Sequence, residues 1–229
     1  PAYLSYECKR AGVQRFIYAS SCSVYGYTID ELYNEGSPTT CTYPYGISKL
    51  QGEHGVMQLA DDQFSVISLR QGTVCGYSDR MRFDLVVNTM FKNAFLHNEI
   101  TVNNPSIWRP IFHIQDACTA YIRAIQAPEN ISGIFNVASD NYTLGQIGDI
   151  VSVEMSRLTN KDIKVHINDV KDFRNYKVSI QHAKLSLGFT PIYTIKDIIN
   201  ELYQKSASFT NFEDDKYYNI KVFKKLGKI

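Results

Sequence analysis

The spacing of Tyr45 and Lys49, four residues apart just after Pro44, is the clearest chemical signal in the sequence. On a helix, residues i and i+4 share one face, so the Lys49 ammonium can lie near the Tyr45 phenol. A neighbouring cation favours the phenolate form of a tyrosine, whose pKa is ordinarily about 10. Bringing such a pKa near neutrality takes roughly 4 kcal/mol, which one lysine near a surface rarely supplies without a cationic cofactor ring. The alternative is a tyrosine and a lysine on an ordinary surface helix.

Serine hydroxyls give a second signal, at the end of the apolar run formed by residues 15–20. Ser20 and Ser21 stand where this run ends and a polar segment begins. In open parallel sheets, ligands bind in a crevice at the carboxyl ends of the strands. A hydroxyl placed there could hydrogen-bond to the substrate oxygen whose proton Tyr45 takes or returns. The alternative is a polar turn between a strand and a loop, where serine is common.

Strands and helices alternate along the chain and provide the frame for these residues. Short apolar runs predict strands at residues 15–20, 64–69, 111–114 and 134–137. Helical spacing and capping residues predict helices at residues 44–59 and 83–95, after Asp116, after the capping box of Thr143 and Gln146, and around residues 195–202. Residues 26–43 are predicted to form a long loop. The alternation indicates an α/β fold with a largely parallel sheet.

Composition limits the classes of function that the chain can have. With 44% apolar and 21% charged residues, the 229-residue chain has the composition of a folded globular protein, not a disordered one. A net charge of +1 leaves no basic surface excess, so nucleic acid is not expected as a main partner. No run of about 18 apolar residues predicts a membrane span. Five scattered cysteines without ligand spacing argue against structural zinc and a disulfide framework, and the reducing cytoplasm is the expected compartment.

Five motifs in a fixed order carry a resemblance to a known family. They are RFIYASSCSVYG at residues 15–26, YGISKLQGE at 45–53, LRQGTVCG at 69–76, WRPIFHIQD at 108–116 and FNVA at 135–138, and KLSLGFTP at 184–191 adds a late segment. The chain resembles the extended short-chain dehydrogenase/reductase family, in its NAD-dependent epimerase/dehydratase group acting on nucleotide sugars. The resemblance spans about residues 3–205.

The resemblance implies a role for each matching residue. Tyr45 is expected to be the general base or acid, Lys49 to bind the nicotinamide ribose and favour the phenolate, and Ser21 to hold the reacting sugar hydroxyl. The cofactor is expected to be NAD, with NADP not excluded. The residues expected to contact it are Ser20, Tyr45, Lys49, Gly72 and Thr73. A nucleotide diphosphate sugar is the expected substrate, bound by Asn88, Arg109, Arg174 and Tyr176.

The resemblance also implies how the chain is divided. Residues 1–75 are expected to form the carboxyl-terminal part of a Rossmann-like dinucleotide-binding domain. Residues 76–205 are expected to form mainly a small α+β substrate lobe, with some segments returning to the Rossmann core. Residues 206–229 lack any helical or strand period and are expected to be an irregular tail.

The glycine-rich fingerprint of the family is absent from this sequence. Gly12, Gly26 and Gly36 do not make a phosphate-binding turn after a strand and before a helix. Residues 3–12 read as the end of a helix, so about three βα units, on the order of 90 residues, are expected to be missing upstream. The incomplete sheet is then expected to expose apolar strand faces and an unpaired edge.

The reaction type is narrowed by the residues after Ser21. Cys22 and Ser23 stand where dehydratases of this family carry Asp-Glu, which argues against 4,6-dehydration. Residues 76–82 contain no histidine to pair with Cys22, as the GDP-fucose synthases require. A nucleotide-sugar 4-epimerase is therefore expected. The alternatives are a nucleotide-keto-sugar reductase or dehydrogenase and a non-catalytic module that binds nucleotide sugars.

A homodimer is expected for the full-length protein, from the helix that begins near Tyr45. This helix carries Gly46, Gly52 and Gly55, which permit close approach of another helix. Homologous helices commonly pair across a four-helix dimer contact. The alternative is that the glycines allow close packing within the chain itself.

Overall fold

The structure, a computed structural model, describes residues 1–170 and 175–227. The helices are α1 Ala2–Arg10, α2 Pro44–Met57, α3 Val86–His97, α4 Ile114–Gln126, α5 Leu144–Thr159, α6 Gln181–Leu187, α7 Ile195–Gln204 and α8 Asn219–Lys225. The strands are β1 Arg15–Ser21, β2 Tyr27–Tyr33, β3 Ser65–Gln71, β4 Thr73–Cys75, β5 Glu99–Asn103, β6 Trp108–His113, β7 Gly133–Val137, β8 Asp140–Thr143, β9 Lys164–Asn168 and β10 Asn175–Val178. Short 3₁₀ turns lie at Cys22–Tyr25, Ser206–Ser208 and Asp215–Tyr217. The α/β alternation is confirmed.

A parallel sheet with the order β1-β3-β7 forms the first structural layer. Its central strand β3 is buried along almost its whole length, because it has a neighbour on each side and helices on its faces. In β1 only Ser20 is fully buried, and within residues 1–170 and 175–227 this strand pairs with β3 alone. The expected unpaired sheet edge is therefore present in the part of the chain that the structure describes.

A second group of elements follows directly from the end of β3. Strand β4 continues after Gly72 and pairs parallel to β6, which pairs antiparallel to β8. Two further parallel pairs are β5 with β9 and β2 with β10. The apolar core divides accordingly: one cluster packs around β3, β7 and α4, and another packs among α3, α5 and α7. The predicted division at residue 75 stays a prediction.

Three sequence expectations differ from the structure. The predicted loop 26–43 contains the strand β2, whose pairing partner β10 lies far away in the sequence. Helix α4 begins at Ile114 with His113 as its N-cap, and Asp116 instead accepts hydrogen bonds from Ser139 Oγ and from two backbone N–H groups. The tail after residue 205, expected to be irregular, contains two 3₁₀ turns and α8, because its aromatic residues pack on the core around α3.

Candidate active site

Helix α2 brings Tyr45 and Lys49 together as the spacing predicts. Its first residue is Pro44, whose missing N–H costs nothing at a helix start. The Lys49 ammonium lies 5.8 Å from the centre of the Tyr45 ring and donates a hydrogen bond to the carbonyl of Ala19, 2.8 Å away. Burial lowers the pKa of Lys49. An ammonium has three donors, and among the described residues Lys49 donates only this bond, so two donors remain for a ligand beside the half-exposed Tyr45 ring.

The carboxyl end of β1 and the turn that follows it carry the serine hydroxyls. Ser21 pairs with Gln71 across the sheet, and its Oγ accepts a hydrogen bond from the Ser23 N–H, which starts the 3₁₀ turn Cys22–Tyr25. The hydroxyls of Ser20 and Ser23 are buried and have no hydrogen-bond partner among the described residues. An unmade buried hydrogen bond costs about 1–3 kcal/mol. Two such groups at one strand end fit a site whose polar ligand supplies the partner.

Gly72 and Thr73 lie where the sheet passes into the second group of strands. The Gly72 N–H donates to the carbonyl of Val137, and a Cβ at this position would lie 2.8 Å from the Pro110 oxygen. Close packing against β6 therefore explains the glycine. Thr73 begins β4 opposite Ile111. Contact of these residues with a cofactor stays a prediction.

Arg109 and Tyr176 meet in the second group of strands, as two of the expected substrate residues. Both are buried, and the Arg109 guanidinium carbon lies 5.6 Å from the centre of the Tyr176 ring. Arg109 Nη1 also donates to the carbonyl of Trp108 at 2.8 Å. The expected Arg174 lies outside the described residues. Strands β6 and β10 thus hold a cation and an aromatic ring side by side, a combination suited to phosphate and ring recognition.

Asn88, the remaining expected substrate residue, has hydrogen bonds inside the chain. Its Oδ1 accepts from the Gly76 N–H at 3.2 Å, and its Nδ2 donates to the carbonyl of Arg82 at 2.9 Å. The Asn88 side chain therefore holds both ends of the segment between β4 and α3 against the start of α3. Arg82 and Arg80 donate to Asp84 and Asn219, respectively. Contact of Asn88 with a substrate stays a prediction.

Cys22 is unsuited to base or nucleophilic chemistry in this structure. Its thiol is fully buried and donates to the carbonyl of Arg70, and burial raises the pKa of Cys22 far above its usual range. Burial likewise raises the pKa of Cys75 to about 12. Both thiols stay protonated at neutral pH, since the thiolate is the reactive form. This burial agrees with the sequence argument against the GDP-fucose synthase reaction.

A buried ion pair that sequence reasoning missed joins α2 to β3. Arg70 Nη2 and Glu53 Oε1 are 2.6 Å apart, and both side chains are almost completely inaccessible to solvent. The Arg70 Nη1 donates to the Tyr25 hydroxyl, which is 2.8 Å from Asn136 Oδ1. The sequence contained a signal for Glu53, which follows Tyr45 and Lys49 at intervals of four residues and therefore shares their face of the helix.

The glycines of α2 are explained by contacts within the chain. A Cβ at Gly46 would lie 2.8 Å from Cys41 Cβ, and one at Gly55 would lie 2.9 Å from Ala2 Cβ. A Cβ at Gly52 would overlap the Tyr18 hydroxyl. These contacts favour the alternative of close internal packing, and the homodimer stays a prediction.

The described residues form neither a metal cluster nor a membrane span. Residues 1–170 and 175–227 contain no group of three or more His, Cys, Asp or Glu side chains arranged to hold a metal ion. No helix within these ranges is both long enough and apolar enough to span a membrane.

Comparison with known proteins identifies the family. The model of the NAD dependent epimerase/dehydratase family matches residues 2–138, more than half of the chain. The chain is 28% identical to a UDP-glucose 4-epimerase of Neisseria meningitidis serogroup C, over 93% of this chain and 68% of that protein. It is 24% identical to the uncharacterized UDP-glucose epimerase YtcB of Bacillus subtilis, over 88% of this chain and 64% of that protein. The chain thus spans about two thirds of the length of these relatives.

Solved structures show the same fold. MoeE5 in complex with UDP-glucose and NAD matches with a TM-score of 0.77 at 22% identity, covering 92% of this chain and 70% of that one. The UDP-glucuronic acid 4-epimerase of Bacillus cereus, in complex with UDP-glucuronic acid and NAD, matches with a TM-score of 0.76 at 22% identity, covering 90% and 66%. The expected Rossmann-like architecture is confirmed. With its motifs, its strand-end site and these matches, the chain belongs to the NAD dependent epimerase/dehydratase family.

Proposed function

We propose that this chain carries the catalytic and substrate-binding groups of an NAD-dependent nucleotide-sugar epimerase of the 4-epimerase type, acting on a UDP-sugar. The observation that carries the proposal is the Lys49 ammonium held between the end of β1 and the Tyr45 ring, at a strand end where the Ser20 and Ser23 hydroxyls have no hydrogen-bond partner among the described residues. The UDP-sugar epimerases among its relatives support the substrate class.

Tyr45 moves the proton in this mechanism. Its phenolate takes the proton of the sugar hydroxyl and later returns it, and its half-exposed ring is accessible to a substrate. The Lys49 charge favours the phenolate. Ser21, at the end of β1, orients the reacting hydroxyl. Bound NAD supplies reversible oxidation of the sugar carbon, which permits reduction from the opposite face.

The residues present fit one end of that cofactor. The Lys49 ammonium has two donors left for ribose hydroxyls, and the buried Ser20 hydroxyl lacks a partner among the described residues. Arg109 supplies a guanidinium for the diphosphate of the substrate, beside the Tyr176 ring. Lys49 lies on α2, whereas Arg109 and Tyr176 lie on β6 and β10. Proton transfer and substrate binding therefore use different parts of the chain.

The test is interconversion of UDP-glucose and UDP-galactose in the presence of NAD, followed by chromatography of the nucleotide sugars. Tyr45→Phe removes the proton carrier, so we expect turnover to fall at least about 100-fold. Tyr27→Phe is the matched control, because Tyr27 is as exposed as Tyr45 but lies in β2, and it should leave turnover unchanged. Wild-type turnover by Tyr45→Phe would contradict the mechanism.

The two other candidates give different results in the same experiment. A keto-sugar reductase or dehydrogenase changes the absorbance of reduced nicotinamide in step with product, whereas an epimerase turns over without net change. A module that only binds nucleotide sugars shows saturable binding in calorimetry and no conversion of substrate.

A further inference from the structure

The pair of Glu53 and Arg70 is forked and fully enclosed, which fixes its geometry. Arg70 Nε lies 3.1 Å from both carboxylate oxygens of Glu53, and Nη2 lies 2.6 Å from Oε1. Ser68 Oγ donates to Oε2 at 3.0 Å. Arginine and carboxylate groups joined through two parallel bonds define direction as well as distance. The pair therefore fixes how Glu53 of α2 is placed on β3.

The same guanidinium reaches the segment that contains Ser21. Arg70 Nη1 donates to the Tyr25 hydroxyl at 2.8 Å. Tyr25 is the last residue of the 3₁₀ turn that Ser21 caps, and it is fully buried. Asn136 of β7 lies on the other side of this hydroxyl, 2.8 Å away. One connected group of bonds thus joins α2, β3, β7 and the turn after β1.

Fully buried apolar side chains contribute little to the register of α2 on the sheet. Its buried residues are Gly46, Gly52, Glu53 and Val56, and only the last has an apolar side chain. Three of its fourteen residues are glycines. Enclosing two charges is costly and often adds no stability over apolar residues, although such pairs can specify one arrangement. The structure therefore gives this pair a positioning role.

We propose that the Tyr25–Arg70–Glu53 network positions the proton-transfer pair, setting Tyr45 and Lys49 against Ser21. Residues 45, 49 and 53 follow one another at intervals of four, so they share a face of α2. Holding Glu53 therefore fixes both the rotation of α2 about its axis and the position of α2 along that axis. Holding Tyr25 fixes the strand end that carries Ser21. The expected effect on turnover rests on the proposed function. The expected coupling between the turn after β1 and α2 does not.

The experiment removes one hydroxyl and measures its effect on the other side of the network. Tyr25→Phe keeps the ring and the ion pair but breaks the bonds of the hydroxyl to Arg70, to Asn136 and to the Asn34 carbonyl. Hydrogen exchange of the backbone amides in α2 is the main measurement, because Tyr25 belongs to a different element. We expect exchange in residues 45–53 to rise about tenfold, together with exchange in residues 20–26. Tyr33→Phe is the matched control, since Tyr33 packs edge-on against Tyr25 and its hydroxyl makes no hydrogen bond to the network among the described residues.

A second mild variant tests the network from its other end. Ser68→Ala removes only the donor to Glu53 Oε2 and should raise exchange in the same two segments. In turnover, both variants should lower kcat about tenfold with KM changed less than about twofold, because misplaced groups slow the reaction step. Unchanged α2 exchange in both variants would overturn the proposal. If only the proposed function is wrong, the wild-type protein will show no turnover, but both variants will still raise hydrogen exchange in α2.

Discussion

At the scale of single residues, the site combines one exposed phenol with groups that are enclosed. Tyr45 is about half exposed, whereas Lys49 is held by the Ala19 carbonyl and Ser20 is buried. A proton carrier has to meet its substrate, while the charge that assists it works best away from water. The exposure of Tyr45 and the enclosure of Lys49 therefore match the roles proposed for these side chains.

Lys49→Gln tests the role of the ammonium directly. The variant loses the ammonium that lies beside the Tyr45 ring, so we expect turnover to fall about 100-fold. Initial rates at saturating substrate measure the loss. Lys184→Gln, at an exposed position of α6, should leave the rate unchanged. A wild-type rate for Lys49→Gln would contradict the role.

At the scale of elements, the junction between β6 and α4 depends on one histidine. His113 ends β6 and caps α4, its Nδ1 accepting from the Gln115 N–H at 3.0 Å. Its ring stacks on Tyr193, and its Nε2 is 3.7 Å from Glu201 of α7. Burial lowers the pKa of His113, although Glu201, Asp116 and Asp197 oppose the shift. A cap of this kind works only while Nδ1 is unprotonated.

The stability of the chain should therefore depend on pH through His113. The unfolded chain binds this proton more readily than the folded chain, so the free energy of unfolding should fall as pH drops below 6.5. His113→Asn keeps a capping side chain and removes the titration. Urea unfolding of both proteins at about pH 7.5 and about pH 5.5 measures the difference. Parallel losses of stability in the two proteins would show that His113 contributes nothing to the pH dependence.

At the scale of the whole molecule, the tail after α7 completes the core of the second group of elements. Phe209 packs edge-on against Phe83, with ring centres 5.2 Å apart, and Phe212 and Tyr217 contact the same ring. Lys92 of α3 pairs with Glu213 at 2.5 Å. The segment between β4 and α3 is thereby enclosed by residues more than a hundred positions further along the chain.

Phe209→Ala should measure what this tail contributes to stability. The buried ring leaves a cavity when truncated, so we expect the free energy of unfolding to fall by about 3 kcal/mol. Phe223→Ala is the control, since Phe223 of α8 is 45% exposed and should cost less than about 0.5 kcal/mol. Urea denaturation measures both variants. Equal small losses would mean that the tail does not stabilise the core.

Local patterns in the sequence determined much of this protein. Helical spacing placed Tyr45 and Lys49 together, and the capping box of Thr143 and Gln146 marked the start of α5. Apolar runs located β1, β3, β6 and β7 to within a few residues. Each of these features depends on neighbours within about four positions, where chain geometry alone relates one side chain to the next. The ordered motifs also indicated the family correctly.

Tertiary structure alone decided the features that depend on distant partners. Strand β2 exists because β10 lies beside it. Asp116 does not cap a helix but accepts hydrogen bonds from the Ser139 hydroxyl and from two later backbone amides. The pairing of Arg70 with Glu53 and Tyr25 joins three motifs that the sequence shows separately. Such contacts arise when the whole chain packs, because hydrogen-bond partners and buried charges are satisfied across elements, and no local period records them.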